Sequence, residues 1–376
     1  MTAARVTAIV PDGIDDPSRP SGGNRYDRRA IEALRALGVT VTERAVTGCW
    51  PRPDGAARQN LQGALAEVPA GSPALVDGLI ASGATDLVIE ADERAPVVVL
   101  VHMPFGPVEP ALAAAERAML TRVSGVVTTS EWTRAFLVTT YRVPAERVVV
   151  ATPGADLAPV ARPKPAGTRL LWVAAVTRAK GHDVLLSALA ALSSDPDLAD
   201  SDWCCTCVGS LDVDPGYAQG LRRAIDDRGL SGRVHLTGPA GGQRLDERFA
   251  SADLLVLPSR SETWGLVVTE ALARAVPVLA SDVGGVPEAL GRAADGRRPG
   301  LLVPAADPLA LADALRRWLT DAALRDRLRH TAADRRTALP GWQHTAARLS
   351  DALVAAGASA PSAGGSRAGR GWSRSF

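Results

Sequence analysis

Pro258-Ser259-Arg260-Ser261-Glu262-Thr263-Trp264-Gly265-Leu266-Val267-Val268-Thr269-Glu270-Ala271-Leu272 leads from an apolar tetrad, Leu254–Leu257, into a segment with helical spacing. Two carboxylates, Glu262 and Glu270, stand on either side of Gly265, where the helix should begin. Glu262 then falls in the loop, while Glu270 lies inside the helix, roughly 7 Å along its axis at the α-helical rise. Free N–H groups around Gly265, Leu266 and Val267 face the space between the carboxylates, which suits a phosphate. Glu262 can accept from the hydroxyls of one sugar and Glu270 from those of a ribose. An ordinary acidic surface position explains Glu270 poorly, because Val267, Val268, Ala271 and Leu272 around it read as buried.

The same alternation of short apolar runs and amphipathic segments extends outward in both directions. Val6–Val10, Val39–Val41, Leu87–Ile89, Val97–His102, Val126–Thr129 and Val148–Ala151 read as strands. Arg25–Leu37, Pro110–Val123 and Thr133–Thr140 read as helices between them. After the proline-rich Arg162–Pro165 the theme restarts, with strands at Leu170–Val173, Trp203–Val208, Val234–Leu236, Leu254–Leu257 and Val278–Ala280. Helical patterns intervene at Asp183–Leu192, Tyr217–Asp227, Leu245–Phe249, Val267–Ala273 and Leu309–Leu319, and Trp342–Val354 forms a last helix. Continuous Val/Leu runs separated by helices are what parallel strands covered on both faces require. The expectation is an α/β fold of two Rossmann-like, doubly wound parallel-sheet domains facing each other across a cleft. The domains divide as 1–160 and 161–338, with 339–355 a helix packing back on the first domain and 356–376 a Gly/Ser/Ala/Arg-rich disordered tail. Closure about Arg162–Pro165 is expected.

Three further stretches carry chemistry. Pro20-Ser21-Gly22-Gly23-Asn24, ahead of the first helix, lets backbone approach a ligand and offers N–H groups to an anion, although a plain turn reads equally well. His102-Met103-Pro104 ends the most apolar run of the first half, at the strand end where ligands of open parallel sheets bind. A satisfied strand-end histidine is an even alternative there. Thr177-Arg178-Ala179-Lys180-Gly181-His182-Asp183 places two cations before a helix capped by His182 and Asp183, a pair able to stabilise the growing charge of a departing diphosphate. Taken alone, that stretch also reads as a solvated basic turn.

Together these residues carry a resemblance. The segment Glu262 to Glu270, continued through Asp282-Val283-Gly284-Gly285-Val286-Pro287-Glu288, resembles the Glu-x7-Glu signature of retaining glycosyltransferase family 4, which has the GT-B architecture. Gly22-Gly23, His102-x-Pro104, Thr129-Ser130, Pro153-Gly154, Lys180-Gly181 and Pro258-Ser259 follow the family's order and approximate spacing, over roughly residues 5 to 350. The resemblance implies a metal-independent transfer of a hexose from a nucleotide diphosphate to a hydroxyl, with the anomeric configuration kept and no cofactor. It implies that Arg178 and Lys180 bind the donor diphosphate and that Glu270 holds the ribose. Glu262 and His102 would contact the transferred sugar, with Gly22, Gly23, Gly265, Leu266 and Val267 bringing backbone near the phosphates. The pattern also departs from the family's. Trp264 replaces the common phenylalanine, a larger ring beside the donor sugar. Ala275 replaces a glycine, which is tolerated unless φ there is positive. The common Gly-Arg-Leu…Lys-Gly spacing is shortened, so Lys180 is the firmer diphosphate ligand of the two cations.

Composition narrows the partners. A net charge of +1 over 376 residues argues against a nucleic-acid binder. Cys49, Cys204, Cys205 and Cys207 have neither a disulfide framework's spacing nor a zinc site's. The absence of a signal-peptide pattern and of any long apolar run leads to the expectation of a cytoplasmic protein, with peripheral membrane contact left open. Arg25, Arg28 and Arg29 could meet an anionic surface or acceptor, though a solvated helix face suits them better. Asp212-Val213-Asp214 would suit a metal-dependent transferase, but Asp214 before Pro215 reads better as a helix cap. A GT-B-like sugar-nucleotide epimerase and a non-catalytic nucleotide-binding protein are the remaining readings, with an NAD-dependent dehydrogenase behind them. Lysine occurs only at Lys164 and Lys180, the other members of the 42 cations being arginine. That excess reads as codon bias, yet it makes the retention of lysine at position 180 pointed, since the two cations are not equivalent at a diphosphate.

Overall fold

The computed structural model describes residues 5–16, 21–198 and 200–359. Pro20 of the glycine stretch and the expected tail from residue 360 onward lie outside the described residues. The first unit runs β1 (Arg5–Pro11), α1 (Gly22–Ala36), β2 (Thr40–Val46), α2 (Gly55–Ala66), β3 (Ala74–Asp77), α3 (Gly78–Gly83) and α4 (Thr85–Asp92). It continues with β4 (Val97–Val101), α5 (Pro110–Leu120), β5 (Gly125–Thr128), α6 (Glu131–Phe136) and β6 (Val148–Val150). Every pairing in its sheet is parallel, in the order β2-β1-β3-β4-β5-β6. All five residues of β4 are buried, as a central strand covered by helices on both faces demands.

The second unit runs β7 (Arg169–Val173), α7 (His182–Ser193), β8 (Cys204–Val208), α8 (Pro215–Asp227), β9 (Val234–Leu236), α9 (Gly242–Ala250) and β10 (Leu254–Leu257). It ends with α10 (Leu266–Leu272), β11 (Val278–Ser281), α11 (Val286–Leu290), β12 (Gly300–Val303), α12 (Pro308–Thr320) and α13 (Ala322–Thr337). This sheet is also all parallel, ordered β12-β11-β10-β7-β8-β9. Two apolar clusters line the two faces of each sheet. Helix α14 (Trp342–Ser359) packs on α1, β4, β5 and β6, so the chain's last described element lies on the first sheet. Among the described residues no helix is long and apolar enough to cross a membrane.

Several sequence expectations need correction. Leu87–Ile89 is not a strand but the middle of α4, with Val88 wholly buried. The strand of that region is β3, three apolar residues and Asp77, and runs this short do not separate a buried strand from a buried helical turn. Residues 356–359 continue α14 instead of starting a tail, because Ala356 still packs on the first sheet's core. Neither His182 nor Asp183 caps α7: the cap position is Gly181, in the left-handed region, the imidazole is buried against Trp172, and the Asp183 carboxylate pairs with Arg260. The Arg162–Pro165 segment is not a free hinge. Asp253, fully buried, accepts from Lys164 N at 2.6 Å and from Arg169 N at 2.8 Å, which pins the segment to the second unit. The chain instead crosses between units where Ala155 N bonds Pro340 O at 2.8 Å.

Candidate functional site

Both sheets reverse their winding at one point, between β1 and β3 in the first and between β7 and β10 in the second. Open α/β sheets bind ligands outside the carboxyl ends of the strands flanking such a point. The loops after β7 and β10 hold Lys180 and Glu262; on the first unit Gly22-Gly23 open α1, which follows β1, and His102 lies in the loop after β4.

In the second unit, backbone contact presses the two loops together. Gly181 adopts φ +72°, and a Cβ there would lie 2.0 Å from Pro258 O, so only glycine fits. Arg260 N donates to Ala179 O at 2.8 Å. This packing delivers Lys180 Nζ to Glu262 Oε1 at 2.6 Å, with Ser259 Oγ on the same oxygen at 2.9 Å. Gly284 and Gly285 close over the other side: a Cβ on Gly284 would come within 1.7 Å of Glu262 O, and Gly285 N bonds that oxygen at 3.1 Å. Helix α10 starts at Gly265 with φ +85° and no side-chain cap, leaving its first N–H groups to the cleft. Glu270 sits one turn further along and is half-buried.

Across the cleft, α1 meets α10. A Cβ on Gly22 would lie 3.4 Å from Leu266 Cδ1, and Arg25 forms an ion pair with Glu270. The units also meet at α6, where Glu288 accepts from Glu131 N at 2.8 Å and Trp132 N at 2.7 Å. The basic face of α1 is consumed within the molecule: Arg28 pairs with Asp15 and Glu43, and Arg29 with Glu32 and Asp156.

His102 lies at the floor of this side. Its Nε2 is 2.7 Å from Asp27 Oδ1 and 3.4 Å from Asp77 Oδ2, and its ring meets Tyr26 edge-on at 5.1 Å. The loop after it is held by Glu116, a buried carboxylate on α5 that accepts from Phe105 N, Gly106 N, Ser82 Oγ and Tyr141 OH at 2.8–3.0 Å. Among the described residues, Asp27, Asp77 and His102 form a group whose ligand atoms lie within 4.8 Å of one another, as a divalent cation would need. Nε2 is already bonded as an ion pair and Asp77 also caps α3, so we read the group as a hydrogen-bonded cluster.

The sequence-derived residues therefore divide. Lys180, Glu262, Gly265, Leu266, Val267 and Glu270 gather at α10, with Gly22, Gly23 and His102 facing them from the first unit. Arg178 does not join them: its guanidinium lies 5.2 Å over the Tyr217 ring, beside a groove of about 540 Å3 between α7 and α8. Trp264 is buried as part of the apolar cluster on one face of the second sheet. Asp214 caps α8 by accepting from Tyr217 N at 3.0 Å, with Pro215 as the first helical residue. Asp183 is held down to about 2 by the paired Arg260 guanidinium. Sequence reasoning missed Asp27, Asp77, Glu116 and the Arg25–Glu270 pair. For Asp27 a signal existed, since it stands on the stripe Tyr26, Ala30, Ile31 and Leu34 that α1 buries.

Comparison with known proteins agrees with this fold. The model of the family described as Glycosyl transferases group 1 matches residues 161–335, and that of Glycosyltransferase Family 4 matches 20–159. A D-inositol 3-phosphate glycosyltransferase of Jonesia denitrificans is 34% identical over 224 residues, 55% of this chain and 51% of that protein. The Streptomyces avermitilis protein of the same name is 36% identical over 187 residues, 50% of this chain and 39% of that protein. The chain thus spans about half the length of the curated relatives it matches. Among solved structures, sucrose-phosphate synthase from Thermosynechococcus elongatus superposes with a TM-score of 0.71 at 22% identity, covering 93% of this chain and 98% of that one. Anabaena Alr3699/HepE in complex with UDP-glucose gives 0.74 at 16% identity, covering 93% and 99%. These likenesses show the fold, two Rossmann-like units in the GT-B arrangement.

Proposed function

The chain belongs to glycosyltransferase family 4, and from that premise we propose that it moves a hexose from a nucleotide diphosphate to a hydroxyl, keeping the anomeric configuration and needing no metal. The observation that carries the reading is the Lys180–Glu262 pair at 2.6 Å beside the uncapped start of α10, with Glu270 one turn beyond. A diphosphate seated at that helix start meets one cation and several N–H dipoles, which stabilise the charge that grows as the glycosidic bond breaks. Glu262 accepts from the sugar hydroxyls and Glu270 from the ribose. Arg25 neutralises Glu270 when no donor is present, and ribose hydroxyls join or replace it there. Arg178 serves the diphosphate only if its guanidinium leaves Tyr217. With no carboxylate assigned as a covalent nucleophile, the leaving phosphate acts as the base on the same face of the sugar.

UDP-glucose is the first donor to try, because the Anabaena structure holds it, and inositol 3-phosphate is the first acceptor, because the curated relatives are named for it. The test is a thermal-stability screen of sugar nucleotides with and without EDTA. A bound donor raises the melting temperature by mass action. At least one should do so with EDTA present, and Glu270→Ala should abolish the shift. No shift with any sugar nucleotide, or a shift that needs added manganese, would contradict the proposal.

A further inference from the structure

Asp27 has no part in the reading above, although it is 3% exposed and one of its oxygens, Oδ2, receives no hydrogen-bond donor among the described residues. Its other oxygen is 2.7 Å from His102 Nε2. Asp77 approaches the same nitrogen at 3.4 Å, while its Oδ1 accepts from Leu79 N and Ile80 N at the start of α3. Tyr26 walls the imidazole, its own hydroxyl spent on Ala151 O at 2.8 Å. On the cleft side Gly23 leaves space, since a Cβ there would stand 3.3 Å from the ring. Nε2 is thus turned inward onto two carboxylates, and Nδ1 has no protein partner among the described residues.

We propose that Asp27 is a positioning residue for sugar transfer: by bonding Nε2 it fixes the His102 ring and, with Asp77, holds it as an imidazolium whose Nδ1–H donates to a hydroxyl of the bound sugar. The proposal rests on the transferase reading. The charge state decides the chemistry of the exposed edge. A neutral ring donating from Nε2 to Asp27 presents a lone pair at Nδ1, whereas an imidazolium presents a proton. The titratable groups facing the ring are Asp27 and Tyr26 from α1 and Asp77 from β3. Burial works against charging the ring, but the two carboxylates outweigh it and raise His102 to about 10. Asp27 is itself pushed up to about 7, by burial first and also by the neighbouring Asp77 carboxylate, against the pull of His102.

The test is to follow the histidine ring signals by NMR against pH in the donor-free protein, with His102→Gln to assign the signal, beside kinetics with UDP-glucose. In the wild type the His102 signal should stay in its protonated position through pH 8.5, well past the free-imidazole value of about 6.5. Asp27→Asn keeps the shape and the hydrogen-bond acceptor but loses the charge. It should bring the titration back below pH 8 and lower kcat about ten- to a hundredfold with KM changed less than threefold. Asp27→Glu should restore part of both. A purely structural role would move stability without moving the titration. The proposal is overturned if wild-type His102 titrates near its free value, or if Asp27→Asn shifts the titration and leaves kcat intact. Should Asp27→Asn not fold, the wild-type titration and Asp27→Glu decide. If the wild type turns over no sugar nucleotide, the transferase reading fails, and the titration alone still decides whether Asp27 holds the ring charged.

Discussion

Replacing Lys180 with alanine removes the one cation that, among the described residues, the second unit brings to Glu262 beside the start of α10. Breaking the glycosidic bond adds about one negative charge to the diphosphate, so only the interaction with that increment accelerates the step. A unit charge ~4 Å away at an effective dielectric of ~20 contributes ~4 kcal/mol. Lys180 is 29% exposed, so solvent screens a good part of this. Taking roughly half leaves about 2 kcal/mol, a loss of about thirtyfold in kcat. The substrate diphosphate is already charged in the ground state, so KM should rise less than kcat falls. Lys180→Arg should fail in part as well. A broad guanidinium fork does not replace a compact ammonium seated on Glu262 Oε1, an oxygen that Ser259 Oγ also bonds. Lys164→Ala is the control, since the exposed Lys164 bonds Asp253 through its backbone. The assay is steady-state release of nucleotide diphosphate across donor concentrations. A kcat within twofold of the wild type in Lys180→Ala would refute the assignment.

The other expectations concern the frame of the site. Ala275 has φ +57°, so the departure from the family's glycine falls where the backbone is left-handed, and Ala275→Gly should stabilise by about 0.5–1 kcal/mol, read as a higher urea midpoint. An unchanged or lower midpoint would show that the neighbours have absorbed the strain. Burial holds His182 down to about 3, so between that value and about 6.5 the unfolded chain binds the extra proton and stability falls as pH falls. From pH 7 to 5 this contributes a loss of ~2 kcal/mol, and His182→Phe should remove that part of the slope. Glu116→Gln puts an amide N–H where backbone N–H groups and Tyr141 OH now donate, which should cost about 2–4 kcal/mol by urea unfolding and loosen the loop behind His102. Retained stability in that variant would mean the loop does not depend on the carboxylate.

Much of the fold was legible because fully buried parallel strands announce themselves as Val/Leu runs, as in Val97–Val101. The second-unit candidate site was legible for a different reason: Gly181, Lys180, Glu262 and Gly265 sit in two short loops, and Glu270 in the helix that follows one of them, so their chemistry is local. The first-unit side was not. Asp77 ends a four-residue strand that the more apolar Leu87-Val88-Ile89 outcompeted, and nothing in the spacing of Asp27, Asp77 and His102 brings them together before the sheet order is known. The pairing of Arg25 with Glu270 spans 245 positions and depends on how the two units face each other. The position of Arg178 was not legible, because Tyr217, which offers its guanidinium a ring, lies on the neighbouring α8 and far from it in sequence.

The most direct measurement of the central claim is proton NMR of the first sugar product formed from UDP-glucose, taken before the anomers interconvert, with and without inositol 3-phosphate as acceptor. The account predicts a product whose anomeric proton keeps the small H1–H2 coupling of the α-linked donor, formed with EDTA present. A first product with the large coupling of a β-linked sugar would contradict it.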